Sequence, residues 1–414
     1  MIAAVPEPAG VIAEPASDIG SMQRQPLHLH LRSSLQVARI LLEEVLDGRH
    51  AAEDPEAHAQ LVGKAGGEVA MLLRLALRAS DATEDRTLIH QLANNLAPAV
   101  RTPRVRRCLV LRPSRAPMHA MAHLCLQSLG DRDDAFDSLV RQALMSGTAA
   151  ANERVPYRLL DSAWTRHLAF GDIELQHPAL ALSPLGVGID LVASTVEDAY
   201  AFTHALPYAT DFGRLPLPEA FNTADLMDLA DAVAVQALAD DDLDLLAEVL
   251  MAPAALRQPW TPVLVFGWQL LDRVWSENGF VPGPGLPPPV TGENRTQTVR
   301  RVLGTAYHTT LAAGMTCATM LFANACPPAS TQGQVGEIPS PAVGGQAWRE
   351  QWRCCTQAQQ DELGFLLLSL ELRQALTEVN LSLVHRLVHR AAEQGWLDKP
   401  LVLQATEMLS RAVA

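Results

Sequence analysis

Apolar residues return at three- and four-residue spacing along most of this chain, a period that builds helices rather than sheets. Leu35, Ala38, Leu41, Leu42 and Val45 form one stripe, and Ala65, Val69, Leu72, Leu73 and Ala76 form the next. The same period predicts helices over about 84–96, 116–129, 133–146, 153–169 and 196–206. It continues through about 222–238, 241–256, 261–277, 297–323, 347–378, 379–395 and 400–413. Strand-compatible stretches are confined to 106–111 and 187–194, and neither alternates cleanly. Four Tyr and nine Phe in 414 residues suit a core built from Ala and Leu. The expected fold class is all-α.

Many of these segments join through short polar turns. Asp240 and Asp241 stand between the stripes at 222–238 and 241–256, acidic residues where a helix N-terminus favours them. Helical hairpins in such a series imply an α/α toroid or an α-solenoid, although no strict 20–50-residue repeat is visible. Residues 1–26, rich in Pro, Glu, Ala and Ser, read as a disordered leader before an all-α domain over 27–414. A subdivision point falls near 170–195. Loops are expected at 281–292, around PGPGLPPP, and at 326–346, where CPPASTQGQVGEIPSPAVGG has the composition of a lid.

The formal charge of −14 gives neither nucleic acid nor an anionic membrane an electrostatic reward. No apolar run reaches the ~18–20 residues that span a bilayer. Residues 1–26 have no basic residue before Arg24, so a secretory signal is not expected there. Six cysteines are too sparse for a disulfide framework, which points to a reduced, cytoplasmic setting.

The densest chemistry lies in YAFTHALPYATDFG, residues 200–213. Tyr200, Thr203 and His204 fall at i, i+3 and i+4 and share one helix face. Pro207 is expected to end or kink that helix, followed by Tyr208, Thr210 and Asp211 in a turn closed by Gly213. A carboxylate beside an imidazole is the usual device for fixing the tautomer that general base work needs, so Asp211 is assigned to orient His204. A second cluster, Tyr307, His308, Thr309 and Thr310, interrupts a long apolar helix and needs partners or a cavity. The expected catalytic set is His204, Asp211 and His308. Tyr200, Thr203, Tyr208, Thr210, Tyr307 and Thr310 are expected to bind substrate. His204, His308 and Asp211 also make a two-His-one-carboxylate set, but without contiguous ligand spacing no metal and no cofactor are assigned.

Other polar motifs have plainer readings. His119 and His123 at i, i+4 read as a packed helix face, and His385 and His389 as a solvated one, since the zinc-protease pattern is missing from both. Cys354 and Cys355, adjacent on a helix, point about 100° apart and cannot easily share an ion. Asp240–Asp244 (DDDLD) resembles the aspartate-rich box of terpene synthases and prenyltransferases, but it opens a helix and lacks a second such motif. Capping is its preferred reading. The cluster from Glu153 through Arg154, Arg158, Asp161, Trp164 and His167 reads as a salt-bridged helix start. Phosphate-loop, dinucleotide, nucleophile-elbow and kinase signatures are missing.

Thr203-His204…Tyr208-x-Thr-Asp-Phe-Gly213, with Asp242-Leu-Asp-Leu-Leu246 and Tyr307-His-Thr-Thr310, resembles an actinobacterial family of helical proteins that recurs among specialised-metabolite gene sets. That resemblance covers about 150–380. The helical layout is also similar to the α/α toroid of lanthionine cyclases, whose Cys…Cys-His zinc ligands this chain lacks. The resemblance implies an enzyme acting on a peptide or small-molecule intermediate, with partner biosynthetic proteins. Intramolecular addition or cyclisation is the expected reaction, with His204 and His308 moving protons. The alternative is a helical-repeat scaffold binding a partner peptide on a concave surface, with the two His clusters apart.

Overall fold

The computed structural model describes residues 18–46, 55–146, 154–171, 178–283, 292, 295–328 and 347–413. Among them the chain is all-α, without strands. The apolar stripes do what their period requires. Ala65, Val69, Leu72, Leu73 and Ala76 are all fully buried along the Pro55–Ala79 helix. Burial of each such Leu is worth about 1.5–3 kcal/mol. On the Asp18–Leu41 helix, Leu35, Ala38 and Leu41 are buried in the same core.

The spine is the Arg295–Ala323 helix. It packs against Asp18–Leu41, Pro55–Ala79 and the short Leu243–Val249 helix. A solenoid stacks each hairpin on its neighbours only. Here the first two helices close on one that comes much later in the chain, so nearest-neighbour stacking does not describe the assembly. Gly314 sets the closeness of the crossing, because a Cβ there would lie 2.4 Å from Ser34 Oγ and 2.5 Å from Ser34 Cβ. Val196–Thr210 packs against both Pro156–Phe170 and Leu243–Val249. Smaller cores form around Phe136 and Val140, and around Leu368, Ala391 and Val402. No helix among the described residues is long and apolar enough to cross a membrane.

Several boundaries differ from expectation for local reasons. Residues 106–111 belong to the Pro103–Leu111 helix, which Thr102 caps and Pro103 opens. Residues 187–194 end a short helix and continue as turn. The stretch 347–378 divides at Cys355, after which Thr356 and Gln359 form a capping box that starts a new helix. Pro207 sits inside Val196–Thr210 and does not end it. The chain leaves that helix through three consecutive left-handed residues, Asp211, Phe212 and Gly213, at φ 44°, 54° and 76°. Within the expected leader, residues 18–26 are the first part of a helix, while 1–17 lie outside the described residues. Most of the two expected loops, 284–291 and 329–346, lies outside them too.

Candidate functional site

Five helices converge on one polar cluster. A capping box between Thr195 and Asp198 starts the Val196–Thr210 helix, which presents Tyr200, Thr203 and His204 as the i, i+3, i+4 spacing predicted. Asp242 caps the Leu243–Val249 helix by accepting from the backbone N–H groups of Asp244 and Leu245. One turn apart on that short helix stand Asp244 and Glu248. The spine adds Tyr307 and His308, Pro55–Ala79 adds Glu68, and Pro156–Phe170 adds Tyr157 and Asp161.

His204 stacks between Tyr157 and Tyr200, with ring centroids at 5.4 and 5.7 Å. Its Nε2 lies 3.7 Å from Glu248 Oε1, whose other oxygen accepts a 2.5 Å hydrogen bond from Thr203 Oγ1. His308 stands between two carboxylates. Its Nδ1 is 3.0 Å from Glu68 Oε2, off the hydrogen-bond line, and its Nε2 is 3.5 Å from Asp244 Oδ2. The Tyr200 hydroxyl lies 3.0 Å from Asp244 Oδ2 and 3.2 Å from Asp242 Oδ2. Each imidazole is about one-third exposed, at 33% for His204 and 32% for His308, above carboxylates that are nearly covered.

Crowding of carboxylates in low dielectric disturbs their protonation. Burial raises Glu248, Asp242 and Asp161 above the usual carboxylate range. Burial, with Asp244, Asp242 and Glu248 nearby, pushes the Tyr200 phenol far up. For His308 burial opposes the charged form, but Glu68 and Asp244 outweigh it and push the imidazole up to about 9. Such an arrangement sets two partly exposed imidazoles beside carboxylates, where an imidazole can take or give a proton.

The expected orienting residue is a correction. Asp211 lies seven residues beyond His204, about 10 Å along a helix axis, which is too far for a hydrogen bond. Its left-handed cap turns the carboxylate elsewhere. Oδ1 accepts from Trp164 Nε1 at 2.8 Å, and Oδ2 meets Arg78 at 2.9 Å and Arg214 at 2.5 Å, with Arg74 at 3.6 Å. Fully buried among three guanidiniums, Asp211 holds its carboxyl below the usual range despite burial. Glu248 takes the place beside His204.

Thr210 and Thr310 are also corrections, because both serve the backbone. Thr210 donates to Leu206 O and accepts from Gly213 N, and Thr310 bonds the main chain of Val281. Tyr208 packs on Trp164 and Phe212, but its phenol lies in the field of Asp161 and Glu248 at the cluster's edge. Tyr307 stands edge-on to His308.

Glu68, Asp244 and Glu248 escaped the sequence reading. The DDDLD box does cap a helix, through Asp242, and that reading hid Asp244. The available signal was Asp244 and Glu248 at i, i+4 on a turn whose other residues are Leu, Ala and Val. Elsewhere the plainer readings hold. His123 is buried against Phe136 and accepts from Arg101, and burial pushes the neighbouring Cys125 thiol up to about 12. His389 pairs with Glu393 on an exposed face. Arg158 meets Asp161 at 3.7 Å, and Glu153 lies outside the described residues.

Residues 35–318 match the model of a family described as "Domain of unknown function (DUF6895)". No curated protein and no solved structure matches the chain.

Proposed function

The chain belongs to the DUF6895 family, and we propose that it is an acid–base enzyme of the cyclase or lyase type acting on a peptide or small-molecule intermediate of specialised metabolism. The observation that carries this reading is the meeting of His204 and His308, from separate helices, on Glu248 and Asp244 one turn apart. A scaffold would have no need to bring two partly exposed imidazoles to one carboxylate pair, so the convergence favours chemistry over passive binding.

In an intramolecular addition, His204, held by Glu248, takes the proton of the attacking group. The attacking pair bonds to one carbon of an activated carbon–carbon double bond, and the π bond breaks with its pair shifting to the neighbouring carbon. That carbon takes the proton back, so the sum of atoms is unchanged. His308, between Glu68 and Asp244, stands on the electrophilic side. Holding both ends of one substrate together supplies much of the rate gain of a cyclisation. An α/α toroid, soluble cytoplasmic work and partner biosynthetic proteins fit the same reading.

The test is metabolite profiling of the native host carrying wild type, His204→Asn or His308→Asn. The expected result is accumulation of the same precursor in both variants and loss of one product. Folded variants that leave the profile unchanged would overturn the reading.

A further inference from the structure

We propose that Asp244, Glu248 and His308 form a binding site for a first-row divalent cation such as Mn²⁺. The inference deepens the acid–base reading and rests on it only for what the cation would do in the reaction. One ligating atom from each of the three residues lies within 4.8 Å of the others, close enough for a single ion to bridge them.

Geometry alone would leave an acidic cluster, but two further observations point to a ligand. Asp244 is more than nine-tenths buried, and its Oδ1 has no hydrogen-bond partner. A carboxylate oxygen withdrawn from water without a donor carries a desolvation cost that a cation would remove. Moreover, the two carboxylates are each held by a hydroxyl, and the imidazole has a carboxylate behind it. Tyr200 fixes one oxygen of Asp244, Thr203 fixes one oxygen of Glu248, and Glu68 flanks Nδ1 of His308 while Nε2 faces Asp244. A carboxylate behind the far nitrogen of a histidine is the arrangement that orients an imidazole toward a metal and raises its basicity.

One imidazole and two carboxylates set the class of ion. The nitrogen ligand favours Mn²⁺, Fe²⁺ or Zn²⁺ over Ca²⁺ and Mg²⁺, which prefer oxygen alone. With the ion bound, positive charge sits on the His308 side of the pocket, and His204, which is outside the ligand set, keeps the proton work.

The test uses the full chain, stripped with chelator and titrated with MnCl₂ by calorimetry and by loss of the free Mn²⁺ paramagnetic resonance signal. One ion per chain is expected. Asp244→Asn, Glu248→Gln and His308→Gln should each weaken binding at least about 10-fold, while His204→Gln stays within about threefold. A nitrogen hyperfine coupling on wild-type Mn²⁺, lost in His308→Gln, reports the imidazole even where a carboxylate variant folds poorly. Absence of saturable binding to folded wild type overturns the proposal, as does binding without the nitrogen coupling or binding unchanged in all three variants. None of these readouts needs turnover. A negative result would therefore leave the acid–base reading standing, and an unchanged metabolite profile would leave the metal site standing.

Discussion

His308 Nδ1 rests 3.0 Å from Glu68 Oε2, although the two residues arrive on different helices, one early in the chain and one late. The contact exists because Pro55–Ala79 packs along the Arg295–Ala323 spine. Glu68 is nearly covered and does not belong to the three-residue ligand set, so its part is electrostatic: its charge behind the ring raises the basicity of the imidazole. Glu68→Gln keeps the volume and removes the charge. It should weaken Mn²⁺ binding by about 10–100-fold with the ion count unchanged. Calorimetry on the variant checks this, and wild-type affinity in Glu68→Gln would show that His308 needs no such support.

Asp211 predicts a different outcome. Among the described residues, its buried carboxylate is the one acidic group paired with Arg74, Arg78 and Arg214, away from His204 and His308. Asp211→Asn would strand guanidinium charge with little solvent, a loss of about 3–5 kcal/mol for a broken buried ion pair. Urea unfolding should show that loss, while the folded fraction binds Mn²⁺ with affinity within about threefold of wild type. The opposite pattern, full stability with an impaired histidine pair, would restore Asp211 to the orienting role that its sequence position suggested.

The contrast between Asp211 and Glu248 marks what the sequence made legible. Periodicity fixed the class of fold, because apolar spacing is a local property that the core simply obeys. The same locality placed Tyr200, Thr203 and His204 on one face and singled out His308. Partners of those residues are set by packing, which no local pattern encodes. Glu68 reads as one more polar residue beside the Ala65–Val69 stripe until the spine is laid against it. Asp244 was visible within DDDLD, but capping explained that motif through Asp242, and one motif held both roles. Of the two effects expected of Pro207, ending the helix did not occur, since a lost backbone hydrogen bond does not stop a helix packed against Pro156–Phe170 and Leu243–Val249.

Asp231 should impose a pH dependence on stability that is separate from the site. Burial raises its carboxyl from 3.8 to about 7, with the hydroxyl of Thr261 bonded to Oδ1. The folded chain therefore keeps this proton at pH values where the unfolded chain has released it. Stability from this group is full below about pH 4 and is lost progressively as pH rises through about 7. Asp231→Asn retains an oxygen for Thr261 and cannot ionise. Its Tm should rise relative to wild type as pH is taken from about 5 to about 8, and a difference that stays flat over that range would refute the shift.

The crossing of Gly314 over Ser34 offers a test of the packing that assembles the site. A methyl group at 314 would meet the Ser34 Cβ at 2.5 Å, and Ser34 is itself pinned by donating to Thr310 O. Because the obstacle includes a Cβ and not only the end of a flexible chain, relief requires the two helices to part. Gly314→Ala should cost about 1–3 kcal/mol, in the range of overpacked cores. Ser34→Gly removes the obstruction and should make the same substitution cheaper, a coupling of at least about 0.5 kcal/mol in a double-mutant cycle. Additive costs in urea unfolding would mean that Asp18–Leu41 and the Arg295–Ala323 spine do not meet at this point.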